Sequence, residues 1–206
     1  MLKRAIKAIL PRRAIEFAVR MKSKLKHPAP NINEHGKNQL LSTSQAGQDY
    51  WVYGEVFNEM AEGYFLDVGA HDGLRLSNTY LLEKRYRWSG LCIEGNPHTF
   101  VALKKRRNCV CVNVCVDRTA GEILFAKRGV LGGIVSEDCD NQVDSLDSEQ
   151  VCVQARPLVD ILRDTDAPKR IDYLTIDIEG AEDRALLTFP FDEYVFTCIT
   201  IERPSD

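Results

Sequence analysis

The chain has no C-x-x-C pair, and its 7 cysteines are an odd number. Both features argue against a zinc site and against a complete disulfide framework, so a reducing compartment is expected and the protein is predicted to be cytoplasmic. The chain also lacks an apolar run close to the ~18 residues that a membrane-spanning helix needs. Its N-terminal segment has no uninterrupted signal-peptide core, because Lys7, Pro11, Arg12 and Arg13 break it up.

The overall charge gives no reason to expect nucleic acid as a partner, since the net charge is only −3. The distribution is uneven, because residues 1–26 hold nine Lys or Arg and a single acid, Glu16. The apolar side chains of residues 1–26 would lie on one face of a helix, so this segment could make peripheral contact with an anionic membrane. A solvated arm is the preferred interpretation. Residues 1–37 are therefore predicted to be a basic amphipathic arm and linker, and residues 38–206 a single folded domain.

Residues 64–73 have the sequence YFLDVGAHDG, an apolar run followed by an acid and two glycines. The run predicts a buried strand, and Gly69 and Gly73 can adopt backbone conformations that let a ligand approach the main chain. Asp67 lies at the strand end, where open α/β sheets bind their ligands. The pattern indicates a nucleotide site, although D-x-G-x-x-x-G also occurs in ordinary strand-to-helix turns.

A second acid follows at an informative spacing. Residues 77–85 predict a helix that begins at the cap residue Ser77, and residues 90–94 predict the next strand, which ends at Glu94. A nucleotide-binding βαβ unit places its ribose-binding acid about 20 residues after the glycine turn, so Glu94 is predicted to accept from a ribose diol. The alternative is that Glu94 caps the next helix, which would start at Pro97.

The glycine turn lacks the G-x-G-x-x-G pattern of dinucleotide-binding folds, because Asp67 occupies its first position. No basic or amide-rich segment follows that could hold a pyrophosphate at a helix N-terminus. An acidic turn favours a cationic ligand, and S-adenosylmethionine carries both an ammonium and a sulfonium. The sequence therefore favours S-adenosylmethionine over NAD.

Three blocks together resemble the FkbM-type methyltransferases: residues 67–73 (DVGAHDG), 93–97 (IEGNP) and 176–182 (IDIEGAE). The segment 44–49 (SQAGQD) is similar to the lead-in of one branch of that family. The resemblance covers residues 44–204 and implies a class I methyltransferase, an α/β Rossmann-like fold with a mostly parallel sheet and helices on both faces. It also implies S-adenosyl-L-methionine as the cofactor and a hydroxyl group of a small molecule or glycan as the acceptor. The residues expected to bind the cofactor are Asp67, Gly69, Ala70, Gly73, Glu94 and Asn96.

Two features depart from the family pattern. The turn continues with Leu74, Arg75 and Leu76 after Gly73, so the methionine end of the cofactor is expected to be held differently. Members of this fold normally continue, beyond the strand predicted at residues 196–202, with another helix and a terminal strand pair. We therefore expect a sequence truncated at its C-terminus, or a minimal and inactive member of the family, that lacks this strand pair.

The catalytic residues are expected where the fourth strand, residues 171–177, ends. Methyl transfer from a sulfonium is an in-line displacement, so positioning contributes most of the rate and a base need only remove the acceptor's proton. Asp177 is the first candidate for that base, with Glu179 in support and His71 as the rival. Glu182 is expected instead to stabilise the first turn of its own helix.

A metal site is a weaker hypothesis. Asp177 and Glu202 end adjacent predicted strands, and carboxylates are ligands that Mg²⁺ accepts. Two acids are a weak signal, so no metal is predicted.

Residues 109–116 form a near-continuous apolar run, which predicts a third buried parallel strand with Cys109, Cys111 and Cys115 in the core. Further predicted elements are strands at 121–126 and 132–136, a mobile loop at 139–150 and short helices at 159–163 and 182–187.

Two other functions are compatible with these patterns. One is a non-catalytic protein of the same fold that uses its basic arm at a membrane surface. The other is an NAD-dependent oxidoreductase or epimerase, which the missing third glycine disfavours.

Overall fold

The computed structural model describes residues 42–142 and 149–202. The predicted basic arm lies outside the described residues, as does the centre of the predicted loop at 139–150, so both stay predictions. Within the described residues the strands are β1 Tyr64–Val68, β2 Ser89–Glu94, β3 Val110–Asn113, β4 Cys115–Val116, β5 Gly121–Ala126, β6 Gly133–Ile134, β7 Gln150–Arg156, β8 Arg170–Ile176 and β9 Val195–Ile201.

The helices of the same ranges are short. They are α1 Gln48–Trp51, α2 Tyr80–Tyr86, α3 Pro97–Arg106, α4 Leu158–Asp164 and α5 Glu182–Leu186. A π-helical turn, Val52–Val56, continues α1, and a 3₁₀ turn, Gly129–Leu131, precedes β6. No helix among the described residues is long and apolar enough to cross a membrane.

The main sheet contains five strands in the order β3-β2-β1-β8-β9, and every neighbouring pair is parallel. The predicted strands at 64–67, 90–94, 171–177 and 196–202 are confirmed, with ends shifted by about one residue. The predicted α/β, Rossmann-like architecture with a mostly parallel sheet is therefore confirmed.

Both faces of this sheet are covered, as expected for parallel strands joined by helices. On one face Leu66 shares a buried cluster with Ile161 of α4. On the other face Phe65 shares a cluster with Leu82 of α2 and Leu103 of α3. Because successive side chains of a strand point to opposite faces, Asp67 lies on the same face as Phe65, toward α2 and α3.

A second sheet has the order β4-β7-β5-β6, with β4 parallel to β7 and the other pairs antiparallel. The prediction of one strand over residues 109–116 is wrong, because the chain leaves the main sheet after Asn113 and enters the second sheet at Cys115. The Asn113 amide donates to the carbonyl of Glu94 at 2.7 Å and so marks the end of β3.

The same split corrects the prediction for the cysteines. Strand β3 is an edge strand of the main sheet, and its Val110 is 47% exposed. Cys109 and Cys111 are consequently half-buried, whereas Cys115 is buried as predicted.

The first turns of two helices follow their predicted caps. Helix α2 begins at Tyr80, three residues later than predicted, yet the Ser77 hydroxyl still accepts from the Tyr80 N–H at 3.1 Å. Helix α3 begins at Pro97 as predicted, and the Asn96 side chain accepts from the His98 N–H at 3.0 Å. These two caps fix the loops that leave β1 and β2.

Candidate active site

A cleft lies at the carboxyl ends of β1, β2 and β8, beside the second sheet. About 900 Å³ of space not filled by protein atoms lies within it, a figure that includes open solvent at its mouth. Parallel strands bring all their carboxyl ends to one edge, so residues distant in sequence meet there. The predicted site residues that line the cleft are Asp67, Gly69, Ala70, His71, Glu94, Asp177 and Glu179.

The glycine turn brings the loops after β1 and β8 into close contact. Gly69 has φ +91°, and a Cβ at this position would lie 1.8 Å from the carbonyl oxygen of Asp177. Only glycine therefore fits here. Gly73 has φ +76°, and its Cβ would meet the side chains of Leu103 and Arg107, so this glycine lets the turn pack on α3. Gly73 is not among the residues that line the cleft.

Asp67 is bound on its inner side by the protein itself. It is 5% exposed, its carboxylate accepts from the Thr79 hydroxyl at 2.5 Å, and the Arg107 guanidinium lies 4.0 Å away. Burial raises the pKa of Asp67, while Arg107 and Thr79 favour its charged form. Arg107 also forms an ion pair with Glu83, so one buried cation serves two acids beneath the turn.

Glu94 joins two loops at the cleft. Its carboxylate accepts from the His71 N–H at 2.7 Å and from the Asn96 N–H at 2.6 Å. Burial raises the pKa of Glu94, and the two backbone donors oppose that effect. Glu94 thus lines the cleft, as the ribose-binding hypothesis requires. It does not itself cap α3, because the Asn96 side chain does so, but it holds the Asn96 backbone in place. Asn96 is buried behind it and is not among the lining residues.

Three acids meet where β8 and β9 end. Carboxylate oxygens of Asp177, Glu179 and Glu202 all lie within 4.8 Å of one another. Burial, a hydrogen bond that the protonated Asp177 carboxyl donates to Glu202, and the charges of neighbouring acids raise the pKa of Asp177 to about 9. Burial and the charge of Glu202 raise the pKa of Glu179 to about 7. Such a cluster holds shared protons near neutral pH, because like charges this close cannot all ionise.

The loop after β8 explains how these acids are held. Glu179 has φ +55° and is followed by Gly180 at φ +90°, so the chain makes a left-handed turn at the cleft. Glu182 is 2% exposed, and its carboxylate accepts from the Ile178 N–H at 3.0 Å. Glu182 therefore stabilises the loop and the start of α5 and does not line the cleft.

Two lining side chains carry buried polar atoms without a hydrogen-bond partner among the described residues. They are both ring nitrogens of His71, whose Nδ1 lies 3.8 Å from an Asp72 carboxylate oxygen, and the Oδ1 atom of Asn78. Burial lowers the pKa of His71, which favours the neutral imidazole. Since buried polar atoms are normally hydrogen-bonded, these atoms are available to a ligand or to water.

Sequence reasoning did not identify Asn78 or the wall formed by the second sheet. Asn78 donates to the Thr175 hydroxyl at 2.9 Å across β8, a contact that no local pattern indicates. The wall includes Phe125, Ile134 and Gly133, and the Gly132–Gly133 pair was the one signal that a backbone approaches closely there.

Comparison with protein families identifies the domain. Residues 67–203, which are more than half of the chain, match the Methyltransferase FkbM domain model. No curated protein and no solved structure shows significant similarity to this chain. The match spans the glycine turn, Glu94 and the acid cluster described above. The chain therefore belongs to the FkbM methyltransferase domain family.

Proposed function

We propose that this methyltransferase uses S-adenosyl-L-methionine to methylate a hydroxyl group of a small molecule or glycan. One observation carries the proposal: Glu94 at the end of β2 and the acids Asp177 and Glu179 after β8 line the same cleft. In this arrangement Glu94 can accept hydrogen bonds from a ribose diol. Asp177 and Glu179 lie apart from it and can attract a cation or take the proton of the acceptor. The family match supports the transfer of a methyl group.

The lining residues fit this cofactor in chemical type. The side chains of Val114, Phe125 and Ile134 supply an apolar wall suited to a nucleobase. Glu94 would accept from the ribose hydroxyls with the lone pairs that His71 and Asn96 leave free. The unpartnered polar atoms of His71 and Asn78 add both donor and acceptor capacity within the same cleft.

When bound, the cofactor supplies an electrophilic methyl group and a positive charge. The residues of the chain then need to hold the acceptor hydroxyl and take its proton. Asp177 is proposed to accept that proton, with Glu179 and Glu202 sharing the charge. A nearby positive charge lowers the pKa of a carboxyl, so a cationic ligand would shift this cluster toward its ionised, basic form.

Glu179 and His71 stay alternatives to Asp177. The pKa of Glu179, at about 7, lies close to the value that suits a general base at neutral pH. His71 is held neutral by burial and could also accept a proton. The carboxylate oxygens of Asp177, Glu179 and Glu202 would also suit a divalent cation, and none of these assignments depends on one.

Calorimetric titration of the purified protein tests the proposal. S-adenosyl-L-methionine should bind with measurable heat, and NAD at the same concentration should not. The same preparation should transfer a radiolabelled methyl group to a mixture of hydroxyl acceptors, and Asp177→Asn should lower that rate roughly 10²- to 10⁴-fold with cofactor affinity changed far less. Binding of NAD alone would overturn the cofactor assignment, and cofactor binding without any transfer would favour a non-catalytic role.

A further inference from the structure

Two thiols outside the cleft lie in direct contact. The Cys109 sulfur lies 3.5 Å from the sulfur of Cys92 on β2, in hydrogen-bonding geometry. All cysteines of the described residues are free thiols, and this pair sits on the face of the main sheet that packs against α2 and α3. The contact joins positions 17 residues apart in the chain.

The two thiols differ in exposure and in freedom to move. Cys92 is 0% exposed and lies within a central strand of the sheet, whereas Cys109 is half-buried. Cys109 belongs to the short connection between α3 and β3, outside both elements. A solute in water therefore reaches Cys109 first, and the connection can shift to shorten the distance between the sulfurs.

We propose that Cys92 and Cys109 form a reversible thiol oxidation site that hydrogen peroxide converts to a disulfide. The Cys109 sulfur attacks one peroxide oxygen, so that the O–O bond breaks and Cys109 sulfenic acid and one water are formed. The Cys92 sulfur then attacks the oxidised sulfur, an S–S bond forms and a second water leaves. The peroxide gains two electrons, and the two thiols lose two electrons and two protons.

The distance between the two sulfurs is short enough for a disulfide to form with a small movement. A disulfide requires about 2.05 Å between the sulfurs, so the 3.5 Å contact must shorten by only about 1.5 Å. Cys111 lies opposite Cys92 in the strand register and its sulfur donates to the Cys109 carbonyl oxygen at 3.5 Å, so Cys111 is the competing thiol that the test must exclude. The bond would close residues 92–109, which include Glu94 and α3, into a covalent loop.

Peptide mapping of peroxide-treated full-length protein under non-reducing conditions tests this site. Trypsin should release a cross-link between the peptides 88–104 and 108–118, and dithiothreitol should remove it. Since peptide 108–118 contains three cysteines, Cys109→Ser should abolish the cross-link while Cys111→Ser keeps it. Cys152→Ser, which changes an exposed cysteine of β7, is the matched control and should keep it too.

Three outcomes would overturn the proposal. They are a cross-link that persists in Cys109→Ser, a wild-type Cys109 that gains oxygen atoms without a cross-link, and a bond that forms only in denaturant. If Cys109→Ser does not fold, fragmentation of the wild-type cross-linked peptide identifies the cysteine that carries the bond. Because the readout is a covalent mass, it is independent of cofactor binding and of methyl transfer.

Discussion

Replacing Asp177 by asparagine should make the protein more stable above neutral pH while it impairs catalysis. The pKa of Asp177 is raised to about 9 in the folded protein, whereas an aspartate in an unfolded chain has a pKa of about 3.9. Between these values the folded protein holds a proton that the unfolded chain has lost. The contribution of Asp177 to the free energy of unfolding is therefore largest below pH 4 and decreases as the pH rises toward 9.

The size of the effect follows from the same difference. Each pH unit in that window lowers the free energy of unfolding by at most about 1.4 kcal/mol. The loss caused by Asp177 at pH 7 is therefore at most about 4 kcal/mol. Asp177 is only partly buried and shares its proton with Glu202, so we expect about 1–2 kcal/mol. The asparagine amide can donate to Glu202 as the protonated carboxyl does, which preserves the contact without the charge.

Urea unfolding at several pH values measures this prediction. The difference between Asp177→Asn and wild type should be near zero at pH 4 and reach about 1–2 kcal/mol in favour of the variant at pH 7. Asp192→Asn, in an exposed turn, is the matched control and should follow wild type throughout. A variant that is less stable than wild type at pH 8, or a difference that does not vary with pH, would refute the reasoning.

Three further variants test the turn, the ribose-binding acid and the buried cation. Gly69→Ala should prevent stable folding, because its Cβ would lie 1.8 Å from a backbone oxygen. The control is Gly121→Ala, whose Cβ would meet no atom within 4 Å, and it should show a normal circular dichroism spectrum. Glu94→Gln should weaken S-adenosyl-L-methionine binding by about 1.5–3 kcal/mol, as measured by calorimetry. The control Glu122→Gln, at an exposed position, should bind like wild type. If Glu94→Gln also binds like wild type, Glu94 is not part of the site. Arg107→Met should lower the free energy of unfolding by about 3–5 kcal/mol, since it leaves the buried Asp67 carboxylate without its cation and leaves Glu83 with Lys84 alone. A loss under about 1 kcal/mol in urea unfolding would contradict the ion-pair network.

The sequence predicts the main sheet well because buried parallel strands leave a strong local signal. Strands β1, β2 and β8 are short apolar runs, and each is followed by a glycine or an acid at the site edge. The break between β3 and β4 leaves only a weak signal, because Asn113 is the single polar residue in an otherwise apolar run. What ends β3 is the hydrogen bond from Asn113 to the Glu94 carbonyl, a contact between distant residues.

The partners of the predicted site residues could not be predicted either, because they too are distant in the sequence. An acid at the end of β1 was correctly placed, but nothing near it in the chain indicates that Arg107, at the end of α3, lies beneath it. Asn78 likewise gains its position from Thr175 on β8. Periodicity and turn chemistry report local structure, whereas the charge balance of a site depends on contacts between distant segments.

This charge balance separates the acids of the cleft into two kinds. The charge of Asp67 is offset by Arg107, and Glu94 is held by two backbone N–H groups, so both have protein partners that stabilise their ionised forms. Asp177 and Glu179 instead have acidic neighbours, and burial together with Glu202 raises the pKa of both. A nearby positive charge lowers the pKa of a carboxyl and relieves the repulsion between neighbouring acids. We therefore expect a cation near the end of β8 to change the protonation of this cluster, whereas Asp67 and Glu94 already have protein partners that favour their ionised forms.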